Sequence, residues 1–151
     1  MTRNPISGSF ETAVTLADWL RNQWDVETAI VTTGDVVHYG AVYGSKDEGS
    51  VPGQLESRFR TKLKELLATA FAQRDLENAY QISLLELKSD QREILPVLAH
   101  MLGAEACAEL LAFELSDYSG IFDTAPPCLV ASALIAYKRR NAVRLTSRIS
   151  E

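Results

Sequence analysis

The sequence predicts an α+β fold: a mainly helical single domain, covering residues 1–151, with a small antiparallel sheet. Two patterns carry this expectation. Apolar residues recur at three- and four-residue steps over 10–24 and 54–73, as in helices that bury one face. Between them, residues 26–43 hold two runs rich in β-branched and aromatic side chains around Gly34-Asp35. That arrangement predicts a β-hairpin with glycine first in a two-residue turn, and the small sheet is expected to be built on it. The chain has 151 residues, 46% of them apolar and 23% charged, enough for a core without disulfide or metal staples.

The elements follow in order. Ser9 is the expected N-cap of a first helix whose buried face carries Phe10, Ala13, Ala17, Leu20 and Trp24. The hairpin strands are expected at 26–33 and 36–43, and because a bare two-stranded hairpin is marginal, a third strand or a second subunit should cover its edge. Residues 44–53 form a turn-rich loop. A strong helix then runs from Gln54 to Gln73, with Leu55, Phe59, Leu63, Leu66, Leu67, Ala70 and Phe71 in one stripe. Residues 80–88 alternate as a third strand would, with a helix nearly as well supported. Ser89 or Asp90 should cap the next helix, which Gly103 ends and Pro96 kinks or restarts. Residues 104–115 are expected to form another helix, and 116–125 a loop. Pro126 and Pro127 suit the first turn of a last helix, apolar almost all round and therefore central. The tail from Asn141 fits a strand or a continued helix equally, and pairing of 142–149 onto the hairpin edge is an alternative to a homodimer.

Composition narrows the function classes. The net charge of −5 disfavours a dedicated nucleic-acid binder, since neutralising phosphates needs basic excess. Residues 1–9 lack a signal peptide's pattern, and the most apolar window, 128–137, is half the length of a membrane span. A cytoplasmic location is the expectation. Cys107 and Cys128 are too few for a disulfide framework or a thiolate cage and read as buried hydrophobes.

Individual constellations are weak. Gly40-Ala-Val-Tyr-Gly44-Ser-Lys46 has three residues between its glycines where a phosphate-binding loop needs four, and acids follow it. Cys128 beside His38 or His100 would make a nucleophilic pair, yet no oxyanion element accompanies it, so a core cysteine is the better reading. His38 reads as a half-exposed structural histidine, and His100 as a helix-surface or capping residue. The two histidines lack metal-ligand spacing. Glu114, Asp117 and Asp123 lack the dense alternation of a calcium loop. No catalytic residue, cofactor-binding residue, cofactor or metal ligand is assigned.

Charge is segregated. Residues 75–123 carry ten acids against Lys88 and Arg92, whereas Lys138, Arg139, Arg140, Arg144 and Arg148 run without an acid. These five are the candidate site for an anionic partner, although docking of the basic tail on the acidic segment explains the pattern as well. In the 58–64 segment, Arg58 and Lys62 border one edge of the apolar stripe, Arg60 and Lys64 the other, as cationic side chains do along a buried face. The function expected is therefore a non-catalytic protein-binding module, such as a small regulator, adaptor, inhibitor or dedicated chaperone. The alternatives are a nucleic-acid-associated regulator using the basic C-terminal segment, and an enzyme whose site is assembled from scattered residues.

Overall fold

The computed structural model describes residues 10–25, 27–45 and 52–139. The fold is α+β: among the described residues, five helices pack with a three-stranded antiparallel sheet of order β1-β3-β2. No helix among them is long and apolar enough to cross a membrane.

Helix α1, Glu11–Gln23, follows the predicted span. Its Ala13 and Ala17 bury against Val97 and Met101, with Phe10, Leu20 and Trp24 packed around them. Phe10 occupies the N-cap position, and Ser9 lies outside the described residues.

The predicted hairpin does not form. An Asx turn, in which Asp25 Oδ1 accepts from the Glu27 N–H at 3.0 Å and from Thr28 Oγ1 at 2.7 Å, redirects the chain after α1. The next residues run as irregular chain, with Val31 81% exposed. Only Val37–Gly40 becomes a strand, β1, and it pairs with β3, Cys128–Arg139, in the register Val37↔Ala131 to Gly40↔Cys128. The β-branched content of 26–33 gave it no partner, since propensity in a strand reflects a surface to pack on.

Helix α2, Pro52–Leu67, continues through a wider π turn, Ala68–Gln73, so the predicted helix over 54–73 is present. Phe59, Leu63, Leu66 and Phe71 are fully buried. Lys62 pairs with Glu65 and Glu86, and Arg60 pairs with Glu56 while donating to the Phe113 carbonyl at 3.1 Å. Residues 80–88 are helical rather than extended: α3, Leu76–Gln81, runs into a second π turn, Ile82–Leu87. Both π turns close on a left-handed residue, Arg74 and Lys88. Arg74 then reaches the carbonyls of Ala99 and Gly103, at the C-terminal end of the helix that finishes at Leu102. Ser89 caps a single turn, Asp90–Arg92, and α4, Ile94–Leu102, restarts with Pro96 in its first turn, where a missing N–H costs nothing.

The larger revision concerns the C-terminal third. The helix expected at 104–115 is strand β2, Ala106–Asp117, and the last helix expected after Pro126-Pro127 is strand β3. A short helix, α5 at Ser119–Phe122, lies between them. The sheet is thus built on a β2–β3 hairpin. Leu129, Ala131, Ala133, Ile135 and Tyr137 alternate toward the helices, opposite Ala106, Ala108, Leu110, Phe113 and Leu115. Leu111 is an extra residue between Leu110↔Ile135 and Ala112↔Leu134, a bulge that shifts the alternation of β2 by one. A strand apolar on both faces and a buried helix look alike in sequence. β3 is the middle strand, yet its outer face, with Leu134 61% exposed, is not enclosed as the expected central helix would be.

Candidate functional site

Two surfaces combine exposure with chemistry. The first is a polar junction where β1 meets the segment after α3. The left-handed backbone of Lys88 turns its carbonyl toward His38, whose Nδ1 lies 2.7 Å away. A carbonyl only accepts, so Nδ1 carries a proton and Nε2 is the ring nitrogen turned to the acids. Nε2 is 3.5 Å from Asp35 Oδ2. Asp90 meets the same loop: its N–H donates to the Asp35 carbonyl at 3.0 Å, and its Oδ2 accepts weakly from the Asp35 N–H at 3.4 Å. Ligand atoms of Asp35, His38 and Asp90 lie within 4.8 Å of one another. Buried Gln91 donates to the Gly34 carbonyl at 3.3 Å and leaves its Oε1 without a hydrogen-bond partner. Lys88 sends its ammonium away from the acids, to Tyr43 O at 2.5 Å and Ser45 Oγ at 3.1 Å. The Tyr43 ring lies tilted against His38, centroids 4.7 Å apart, and burial beside Cys128 pushes its phenol up.

The second surface is the sheet face turned away from the helices. At its β1 end Cys128 and Val130 are buried, but farther along the hairpin Leu111 is 53% and Leu134 61% exposed, with Ala112 beside them. Glu109 and Glu114 border this strip, and Lys138 is held by Glu109 at 2.7 Å, which raises its pKa. Arg60 covers the β2 edge at the Phe113 carbonyl, so the face lies more open than the edge there.

A groove of about 790 Å³ also lies between the end of α1, α4 and β3, lined by Trp24, Ile30, Leu98, Met101 and Tyr137. Arg21, the basic residue lining it, donates to the carbonyls of His100 and Met101 at the end of α4. Burial pushes the Tyr137 phenol up to about 12. Polar groups do not converge there as a specific ligand would need.

The sequence candidates separate. Of the basic set, Lys138 is ion-paired with Glu109; the side chain of Arg139 and all of Arg140, Arg144 and Arg148 lie outside the described residues, as do Lys46 and the tail 142–149. Gly40 and Gly44 serve backbone geometry rather than a phosphate: both have positive φ, and a Cβ on Gly40 would sit 2.0 Å from the Pro127 carbonyl oxygen. Cys128 is fully buried and Cys107 half-buried, both as free thiols. His100 is half-buried on α4, where desolvation and then the Arg74 charge lower its pKa. Asp117 accepts from the Ser119 and Cys128 N–H groups, an anchor for the hairpin tip that lowers its own pKa. The Asp35-His38-Asp90 cluster was not read from sequence because Asp35 and Asp90 stand 55 residues apart. Asp35 and His38 alone are an i, i+3 pair with little meaning. No family model matches the sequence, and no curated protein or solved structure matches the chain, so its two exposed surfaces carry the functional reading.

Proposed function

We propose that the protein is a non-catalytic protein-binding module that engages its partner through the bare face of β2 and β3. The observation that carries this reading is the strip of Leu111, Ala112 and Leu134 on a sheet whose opposite face packs against the helices. A sheet normally covers a face that holds large aliphatic side chains, and an apolar strip with a polar rim is a common form of recognition surface. Glu109 is balanced by Lys138, so the rim keeps the acidic charge of Glu114, which suits a partner segment that mixes basic with apolar residues. Nucleic acid fits this face poorly, since Lys138 is already neutralised by Glu109.

A photo-crosslinking residue at position 134 tests the reading in cell extract. Wild-type surroundings should yield a discrete crosslinked protein, and Leu111→Lys with Glu114→Lys should abolish it without lowering the melting temperature. Retention of the same product in that double variant would overturn the proposal. A product consisting only of a second copy of the chain would replace the separate partner with a homodimer.

A further inference from the structure

We propose that Asp35, His38 and Asp90 bind a divalent first-row transition-metal ion, with zinc the best-matched, at the junction of β1 and the segment after α3. The Lys88 carbonyl accepts a hydrogen bond from the Nδ1–H of His38, which leaves the ring open to a metal at Nε2. It faces the Asp35 carboxylate at 3.5 Å, and a second carboxylate, Asp90, lies in the same cluster. Two carboxylates and one imidazole nitrogen thus converge, with a weak 3.4 Å hydrogen bond from the Asp35 N–H to Asp90 Oδ2 among them. A proton on the imidazole would answer one carboxylate; a divalent cation answers all three groups at once.

The arrangement has the form of a ligand set. A metal-binding histidine typically donates its remote N–H to a carbonyl or carboxylate, which fixes the ring and the tautomer, and Lys88 supplies that carbonyl from outside the cluster. Beside the cluster, buried Gln91 braces the same loop by donating to the carbonyl of Gly34, the residue before Asp35. One imidazole and two carboxylates suit zinc or manganese better than magnesium, and an open fourth position would hold water. Tetrahedral zinc ligands stand roughly 3.4 Å apart, so the 4.8 Å cluster closes on the ion by side-chain rotation of the half-exposed Asp35.

This site is separate from the bare sheet face, and its test does not depend on any partner. Zinc chloride titrated into the full chain by calorimetry near pH 7.5 should bind one ion per chain. Asp35→Asn and His38→Gln should each weaken binding at least tenfold, whereas Cys107→Ser and His100→Gln should leave it unchanged. Asp35 is exposed enough that its variant should fold, which circular dichroism would verify. Cobalt substituted at the site should show a tetrahedral visible spectrum without thiolate charge-transfer absorption. Equal zinc affinity in Asp35→Asn, a thiolate band with cobalt, or no zinc binding by the wild-type chain at 100-fold excess would each overturn the assignment.

Discussion

Gly40→Ala should be among the most damaging small substitutions in this protein. Gly40 has φ 129 and ψ 173, a region open to glycine and costly to any L side chain, at about 1–3 kcal/mol. An added Cβ would also stand 2.0 Å from the Pro127 carbonyl oxygen. Relief requires β1 and the start of β3 to part by on the order of 1 Å in a close-packed interior. That movement loosens the Gly40↔Cys128 pairing and the hydrogen bond from Ser45 N–H to the Gly40 carbonyl, now 2.9 Å, each worth about 0.5–1.5 kcal/mol. Together these amount to about 2–6 kcal/mol, a large share of the roughly 5–15 kcal/mol that holds a typical domain folded. Urea unfolding followed by circular dichroism measures it as a lowered midpoint at unchanged slope. Gly53→Ala is the internal control: it lies in α2 with open space around the new methyl, and should stabilise by up to about 1 kcal/mol. A Gly40→Ala protein within 1 kcal/mol of wild type (a bound set by the helix-propensity control) would refute the steric reasoning.

Further outcomes follow from burial and charge. In the folded protein, Cys107 should alkylate first and Cys128 only on the timescale of opening; mass spectrometry of timed iodoacetamide quenches reads the order, and equal rates would contradict the burial of Cys128. Cys128→Ala should cost about 1–2 kcal/mol by truncation. Because desolvation lowers the His100 pKa, the unfolded chain binds the proton more readily. Stability from this group is therefore complete above its unfolded pKa of about 6.5 and declines as pH falls toward the folded value. The lowered carboxyl of Asp117 adds a loss of the same sign at lower pH, below about 3.9. His100→Gln should flatten the denaturation midpoint between pH 7 and 5, and an unchanged slope there would count against the assignment.

Helices α1 and α2 were legible because each buries one face at helical period, and residues such as Ala17 and Phe59 must point inward wherever the chain turns next. The strands were not, for three separate physical reasons. In β3, Val130, Leu134 and Ala136 fill the face opposite Leu129 and Ile135, which hides a two-residue period behind a continuous apolar run. In β2, the bulge at Leu111 breaks the alternation halfway, so neither period fits the whole segment. Around 26–33, β-branched content suggested a strand whose partner is missing, because β3 takes the place beside β1. The candidate sites suffered likewise. His38 was visible as a half-exposed histidine, but the carbonyl that orients it depends on the left-handed turn at Lys88, which no composition or spacing rule announces.

The strand order also sets the sequence of events in folding. β2 and β3 are joined by one short connection, so their pairing closes a small loop and forms early. β1 must wait, since the whole of α2, α3, α4 and β2 lies between it and β3, and such distant closure is slow and entropically costly. The last strand to join is then also the first to leave. Transient departure of β1 would expose backbone amides of Val37–Gly40 to deuterium exchange while those within the β2–β3 hairpin stay protected. An ion held between His38 on β1 and Asp90 beyond α3 would act on that opening alone, slowing exchange of the β1 amides that donate to β3 and leaving the hairpin as it was.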